Sequence, residues 1–301
     1  MTALQDVAER ISRGDVLSNS DAQLILETDD IVSVGMLADE VRRQRHGTRT
    51  TFVRVYQIHV AAPSSPLPPR VHPGEFRIIG TPVDADAAEV AVRSAAALAG
   101  SVPLTGFSLA DLRDIAGSTP ALGSLCSRLR GAGLKAIADV PVDLLGDAAA
   151  AVKAARGAGL DVLRLTVHAA GDDSRSSMVD RARALQDEAG GFAAFAPLPR
   201  TFSVSEPTTG YDDVKQVALA RLLVGNIPSI QVDWPLYGPK LAQVGLIVGA
   251  DDVDGVAAHD GVLGARRSPL EEIRGNIRAA GLIAVERNGR FERTAGDGAC
   301  G

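Results

Sequence analysis

Between residues 51 and 280, short apolar runs alternate with helical stretches about eight times, and this alternation constrains the fold more than any other feature of the chain. TFVRVYQIHV (51–60) alternates apolar and polar residues, as a strand buried on one face does. FRIIG reads as a second strand, followed by a helix at DADAAEVAVRSAAALAG. SVPLTGF is a third strand, then TPALGSLCSRLRGAG a helix, LKAIADV a strand, GDAAAAVKAARGAG a helix and LDVLRLTVH a strand. SRSSMVDRARALQDEAGG, FAAFAPL, YDDVKQVALARLLVGN, PSIQVDW, PKLAQVG and LIVGADD continue the helix–strand order. LEEIRGNIRAAG closes it, with a small strand or hairpin at IAVERNGRFE. Strands that each connect through a helix must run parallel, and eight of them predict a (β/α)8 barrel. A doubly wound open sheet is the alternative, but no G-x-G-x-x-G follows the first strand.

The first fifty residues read as a helical extension. Ser18, Asn19, Ser20 and Asp21 offer cap residues before AQLILE, and a second helix runs from Asp29-Asp30 to Gly47 with Arg42, Arg43 and Arg45 in its last turns. The predicted organisation is therefore an extension over 1–50, a barrel with a closing segment over 51–292 and a flexible tail over 293–301. Proline is dense between 63 and 73 (Pro63, Pro66, Pro68, Pro69, Pro73), so that stretch is a loop.

Hydrophobic residues make up 46% of the 301, enough for a large core, and aromatics only 4%, so the core is mostly Ala, Val, Leu and Ile. A net charge of −6 argues against nucleic acid as a partner. No apolar run approaches the roughly 20 residues of a membrane span, and MTALQDVAERISRGD lacks the apolar region of a signal peptide. A cytoplasmic protein is the expectation. Two cysteines, Cys126 and Cys300, make no disulfide framework.

RARALQDEAGGFAAFAPLPR (181–200) resembles a helix–strand unit of the radical S-adenosylmethionine (SAM) family that contains aminofutalosine synthase, cyclic dehypoxanthine futalosine synthase and the FO synthase subunits. VALARLLVGNIPSIQVDW (217–234) and KLAQVGLIVGADDVDGV (240–256) are similar to the next two units, IRAAGLIAVERNGRF (277–291) to the closing segment, and residues 17–60 to the helical extension and first strand. The resemblance implies a radical-SAM-type barrel and a setting in menaquinone biosynthesis by the futalosine pathway. It also implies a C-x3-C-x2-C loop after the first strand, where this chain has HVAAPSSPLPPRVHPGE, without a cysteine. A [4Fe–4S] cluster needs several converging thiolates. The expectation is thus no [4Fe–4S] cluster, no metal and no other cofactor, with residual SAM or nucleoside binding.

Strand ends at the C-terminal mouth of a barrel carry its active site. The candidates there are His59 after the first strand, Asp139, His168, Arg200, Asp233 with Trp234, and Asp251 with Asp252 after the eighth. His168, Asp139 and Asp251 are the acid–base candidates; His168 with Asp172 and Asp173 reads as a solvent-facing loop ahead of an acid–base or metal group, and the missing H-x-H pair weakens a metal site. His59, Arg200, Asp233, Trp234, Tyr237, Asp252 and Asp254 are candidate ligand contacts. The aspartates of GADDVDG suit ribose hydroxyls or a helix cap. Trp234 and Tyr237 suit stacking on a flat ring or rim packing, and Arg200 suits a carboxylate or plain solvent. Cys126 reads as core. Three functions remain open: a binding or partner protein, as a heteromer with an active radical SAM paralogue or a holder of a nucleoside-like ligand; a non-radical enzyme acting on a nucleoside or aromatic carboxylate; and a radical SAM enzyme whose cluster has other ligands.

Overall fold

The computed structural model describes residues 3–15, 17–62, 67–68, 71–169, 175–201, 209–259 and 269–294. Three helices come first: α1 (Ala3–Arg13), α2 (Asn19–Glu27) and α3 (Ile31–His46). Ser18 and Asp21 cap α2 reciprocally, each side chain accepting from the other residue's backbone N–H. Asp30 caps α3 by accepting from the Ser33 N–H at 3.0 Å, and Gly47, at φ 61°, ends it.

Alternation then takes over: β1 (Arg49–His59), β2 (Glu75–Ile79), α4 (Ala85–Ala99), β3 (Leu104–Ser108), α5 (Leu109–Ala116), α6 (Thr119–Ala132), β4 (Ala136–Pro141) and α7 (Ala148–Gly157). It continues with β5 (Asp161–Val162), β6 (Arg164–Ala169), α8 (Arg175–Ala189), β7 (Ala194–Thr201), α9 (Gly210–Leu223), β8 (Ser229–Asp233), α10 (Trp234–Ile247), β9 (Asp252–Ala257), α11 (Pro269–Ala279) and β10 (Ile283–Glu286). Every strand pairs parallel with its neighbours, and β1 pairs with β9, so the sheet closes. The stretch LDVLRLTVH is two strands, β5 and β6, that share one barrel position against β4. The predicted (β/α)8 barrel is therefore what forms. β10 stands outside the eight, beside the first half of β1 (Arg49↔Ile283 to Phe52↔Glu286), in the slot that β2 enters only at Val55↔Glu75.

The main core lies between strands and helices. Alanines on the inner helix faces (Ala88, Ala95, Ala151, Ala155, Ala182) let the helices sit close to the barrel wall, and Cys126 is fully buried among them, as read from its helical position.

The lumen is built differently. Branched apolar residues fill most such barrels, whereas here alternate positions of four strands point charges inward. Asp254 lies between two arginines: Arg77 donates to it at 2.7 and 2.8 Å, and Arg164 donates to it from the other side. Arg77 also reaches Glu75 at 2.6 Å, and the Thr105 hydroxyl donates to Glu75 at 2.5 Å. One layer below, Arg287 grips Asp252 with two bonds of 2.6 and 2.7 Å, and Gln231 and Thr51 donate to the same carboxylate at 2.6 and 2.5 Å. The space left in the upper layer is a cavity of about 10 Å³, the volume of about one water.

One strand assignment is corrected. LIVGADD is not a strand: Leu246 and Ile247 end α10, and the eighth barrel strand starts at Asp252. Leu246 is buried, and Gly245 lets the helix approach β8 so closely that a Cβ there would come within 3.0 Å of Val232. A short apolar run reads alike as a strand or as the buried turn of a helix. The strand that does form bulges: pairing skips from Phe52↔Val253 to Arg54↔Val256. Gly255 occupies the bulge at φ 77°, and a Cβ there would meet Pro235 at 2.8 Å, so the position needs glycine.

Burial alone would raise the Asp254 carboxyl, but Arg164 and Arg77 hold it well below the usual carboxylate range. Asp254→Ala is expected to cost about 3–5 kcal/mol, because it takes the bonded carboxylate from buried Arg164 and leaves buried Arg77 with Glu75 alone; urea denaturation at neutral pH measures it. A depressed carboxyl stabilises above its unfolded value of about 3.9 and loses that contribution as pH falls. Wild-type stability should therefore drop below about pH 4 by a component that Asp254→Ala lacks.

Candidate functional site

The C-terminal ends of the strands form one mouth, and four of the ten sequence-derived candidates, Asp139, His168, Arg200 and Asp233, meet there. A cavity of about 230 Å³ is lined by Ser108, Asp139, Pro141, Thr166, His168, Arg200 and Thr201. Arg200 bridges two carboxylates: it donates to Asp233 at 3.1 Å and lies 3.7 Å from Asp139. Burial, and next the charge of Asp254, raise the Asp233 carboxyl, while Arg200 opposes both. The same Asp233 caps α10 by accepting from the Leu236 N–H at 3.1 Å.

His168 presents an exposed ring at this cavity while its backbone is fixed. Asp143 accepts from the His168 and Ala169 N–H groups, both at 2.8 Å, and the Thr201 hydroxyl donates to the His168 carbonyl at 2.6 Å. The Thr166 hydroxyl, in the cavity wall, is buried and has no hydrogen-bond partner among the described residues. Such a group costs free energy unless something bonds to it, so it marks this cavity as a place for a polar ligand. Asp172 and Asp173 lie outside the described residues.

Other candidates sit apart. His59 ends β1, exposed; its Nδ1 accepts from the Ala61 N–H at 3.2 Å, and its ring lies over Gly80. Trp234 and Tyr237 are partly buried against the core, and the Tyr237 hydroxyl donates to the Pro199 carbonyl at 2.5 Å. The Tyr237 hydroxyl thereby ties α10 to β7.

Asp251 and Asp252 are not at the mouth. With β9 starting at Asp252, both lie at the opposite, N-terminal end of the barrel. Asp251 accepts from Arg221 and from the Ile230 N–H at 2.9 Å, with the His46 Nε2 at 3.4 Å. Asp252 is consumed by Arg287, Gln231 and Thr51. Asp254, midway up the strand, is held in the lumen below the mouth. An acid–base or ribose-binding role for Asp251 and Asp252 therefore has no access to the cavity. Sequence reading missed the lumen partners Glu75, Arg77, Thr105, Arg164, Gln231 and Arg287. The signal was present: E-F-R, R-L-T, Q-V-D and D-V-D place polar residues two apart inside apolar strands, on one face.

A parallel eight-stranded barrel with helices outside and a polar mouth defines the class, and the comparisons agree. The barrel is similar to the FeFe-hydrogenase maturase HydG from Carboxydothermus hydrogenoformans (TM-score 0.65, 13% identity, 94% of this chain and 79% of that one), a likeness of fold. Residues 189–296 match the CofH/MqnC C-terminal region family. The aminodeoxyfutalosine synthase of Thermus thermophilus is 37% identical over 134 residues, 40% of this chain and 36% of that protein. The 5-amino-6-(D-ribitylamino)uracil–L-tyrosine 4-hydroxyphenyl transferase of Methanothermobacter thermautotrophicus is 34% identical over 138 residues, 40% of this chain and 37% of that protein. The chain thus spans little more than a third of the length of these curated relatives. The chain is thus related over part of its length to the futalosine-pathway radical SAM enzymes, and as a whole it forms a TIM-type barrel.

A [4Fe–4S] cluster, which such a relation implies, does not fit the donors present. The residues from His59 to Glu75 include no cysteine. Cys126 is buried in α6, and burial pushes its thiol up to about 11. Cys300 lies outside the described residues. Among the described residues no group of three or more His, Cys, Asp and Glu side chains is placed to hold a metal ion, and no helix is long and apolar enough to cross a membrane.

Two outcomes follow. Iodoacetamide at pH 8 should leave Cys126 unmodified in the native chain and alkylate it fully in urea, read by mass spectrometry, because only the exposed thiolate reacts. Arg200→Gln should raise the Asp233 carboxyl further, read by carboxyl-carbon NMR titration, since it removes a cation that holds it down.

Proposed function

We propose that this chain is a cluster-less member of the futalosine-pathway radical SAM relatives that acts without a radical, as a cytoplasmic binding or partner protein. It holds a nucleoside-like ligand at the mouth or stands beside an active radical SAM paralogue in menaquinone biosynthesis. The observation that carries this reading is the donor set at the mouth: a carboxylate, an imidazole and a guanidinium (Asp139, His168, Arg200) around a buried hydroxyl without a partner, Thr166, and no thiol. Oxygen and nitrogen donors of this kind recognise hydroxyls and carboxylates, whereas iron–sulfur clusters are held mainly by cysteine thiolates. In such a complex Asp139 accepts from sugar hydroxyls, Arg200 turns its free N–H groups to a carbonyl or anionic oxygen, and Thr166 gains its missing bond. The ion pairs below close the lumen, so the ligand is held at the rim rather than inside the barrel.

The exposed ring of His168 beside Asp139 favours a second reading, a non-radical enzyme acting on a nucleoside or aromatic carboxylate, with His168 moving the proton and Asp139 and Arg200 orienting the substrate. His168→Ala would abolish turnover on that reading; on the first there is no turnover to lose, and the change weakens ligand affinity by the loss of one donor.

Anaerobic reconstitution with iron and sulfide, followed by an iron count and a visible spectrum, tests the proposal directly. A colourless protein with no bound iron is the expected result. About four irons per chain with a brown absorbance would overturn it and restore a radical mechanism with other ligands.

A further inference from the structure

At the end of the barrel opposite the mouth, a recess of about 270 Å³ is lined by Arg45, Arg49 and Arg293, with His46, Ser229 and Phe291 among its other walls. The three arginines come from three separate elements. Arg45 is in the last turn of α3, Arg49 opens β1, and Arg293 follows β10 in the closing segment. None of them has a hydrogen bond or an ion pair within bonding distance among the described residues, whereas every neighbouring ionic group is matched. Asp251 is taken by Arg221, Asp252 by Arg287, and the His46 ring sits against the Pro228 carbonyl at 3.0 Å and Asp251 at 3.4 Å. The chain carries a net charge of −6, yet this recess gathers three cations; Asp251, which also lines it and lends its field to Arg45, is bonded to Arg221.

We infer that this recess is an anion site for a phosphate-bearing small molecule. A guanidinium offers a planar fork of N–H donors that matches carboxylate and phosphate oxygens. One carboxylate has two oxygens to share and a single charge. A terminal phosphate has three oxygens and up to two charges, which suits three forks converging from three directions. The recess is larger than a bare phosphate, so it also has room for the organic group that carries it, and Phe291 and Val285 give it an apolar wall. The closing segment supplies Arg293, and backbone pairing of that residue with Arg287 fixes it at the barrel floor. A bound phosphate would therefore join α3, β1 and the closing segment at one point. The site is separate from the mouth, so its failure and that of the mouth reading are distinguishable.

Isothermal titration with sodium pyrophosphate, against sodium chloride of matched ionic strength, tests it. The full chain should bind one pyrophosphate saturably. Arg49→Gln and Arg293→Gln should each weaken binding about tenfold and the double variant about a hundredfold or more. Both residues are exposed and unpaired, so the variants should keep the wild-type melting temperature. Arg200→Gln, at the mouth, should leave pyrophosphate affinity unchanged. No saturable binding by the wild type, a double variant that binds as tightly as the wild type, or loss of binding in Arg200→Gln would each overturn the inference.

Discussion

The carboxylate of Asp254, held between Arg77 and Arg164, is the contact on which the rest of the barrel depends. It ties β9 to β2 and β6, strands that are not neighbours in the sheet, across the lumen. Buried charges are tolerable only when paired and hydrogen-bonded, and here each is. The pairing also fixes strand register. A one-residue slip of β9 would turn Asp254 and Asp252 outward, leave Arg164 and Arg287 without their bonded carboxylates and leave Arg77 with Glu75 alone. The bulge at Gly255 is the local concession that lets β9 close the barrel on β1 while keeping Asp254 in place. What an apolar lumen does by filling space, this one does by charge matching.

That choice sets where chemistry can occur. With the lumen closed by ion pairs, the accessible polar groups are at the two ends. At the mouth, Arg200 leans on Asp233 and Asp139 and leaves part of its fork free beside His168 and the unbonded hydroxyl of Thr166. At the floor, Arg45, Arg49 and Arg293 have no side-chain hydrogen bond or ion pair among the described residues. The relation to the futalosine-pathway radical SAM enzymes rests on the family match over residues 189–296.

The barrel was legible because its evidence is local. Eight alternations of apolar run and helix, with Ser18, Asp30 and Gly47 as stops, follow from backbone geometry and need no partner. The mouth residues Asp139, His168, Arg200 and Asp233 were legible for the same reason, since a strand's end is the barrel's end. The misreading of LIVGADD shows the limit. Leu246 and Ile247 are apolar whether they end a helix or fill a strand, and only the close approach of Gly245 to Val232 decides. That six-residue shift carried Asp251 and Asp252 from the mouth to the floor. The lumen partners went unseen because a charge in a strand looks solvent-facing until its counter-charge is known, and the nearer of the two arginines bonded to Asp254, Arg164, is 90 residues away.

The sequence by itself determined the class of fold, the helical extension, the absence of cysteine in the loop after the first strand and the kinship with the radical SAM relatives. Each is written in contiguous residues. Only the tertiary structure decided which aspartates face the mouth, which are spent on buried arginines, and that Arg45, Arg49 and Arg293 meet at one recess. Those are facts about pairs of residues far apart in the chain, and a pair becomes an interaction only when the barrel closes and brings its members within hydrogen-bonding distance.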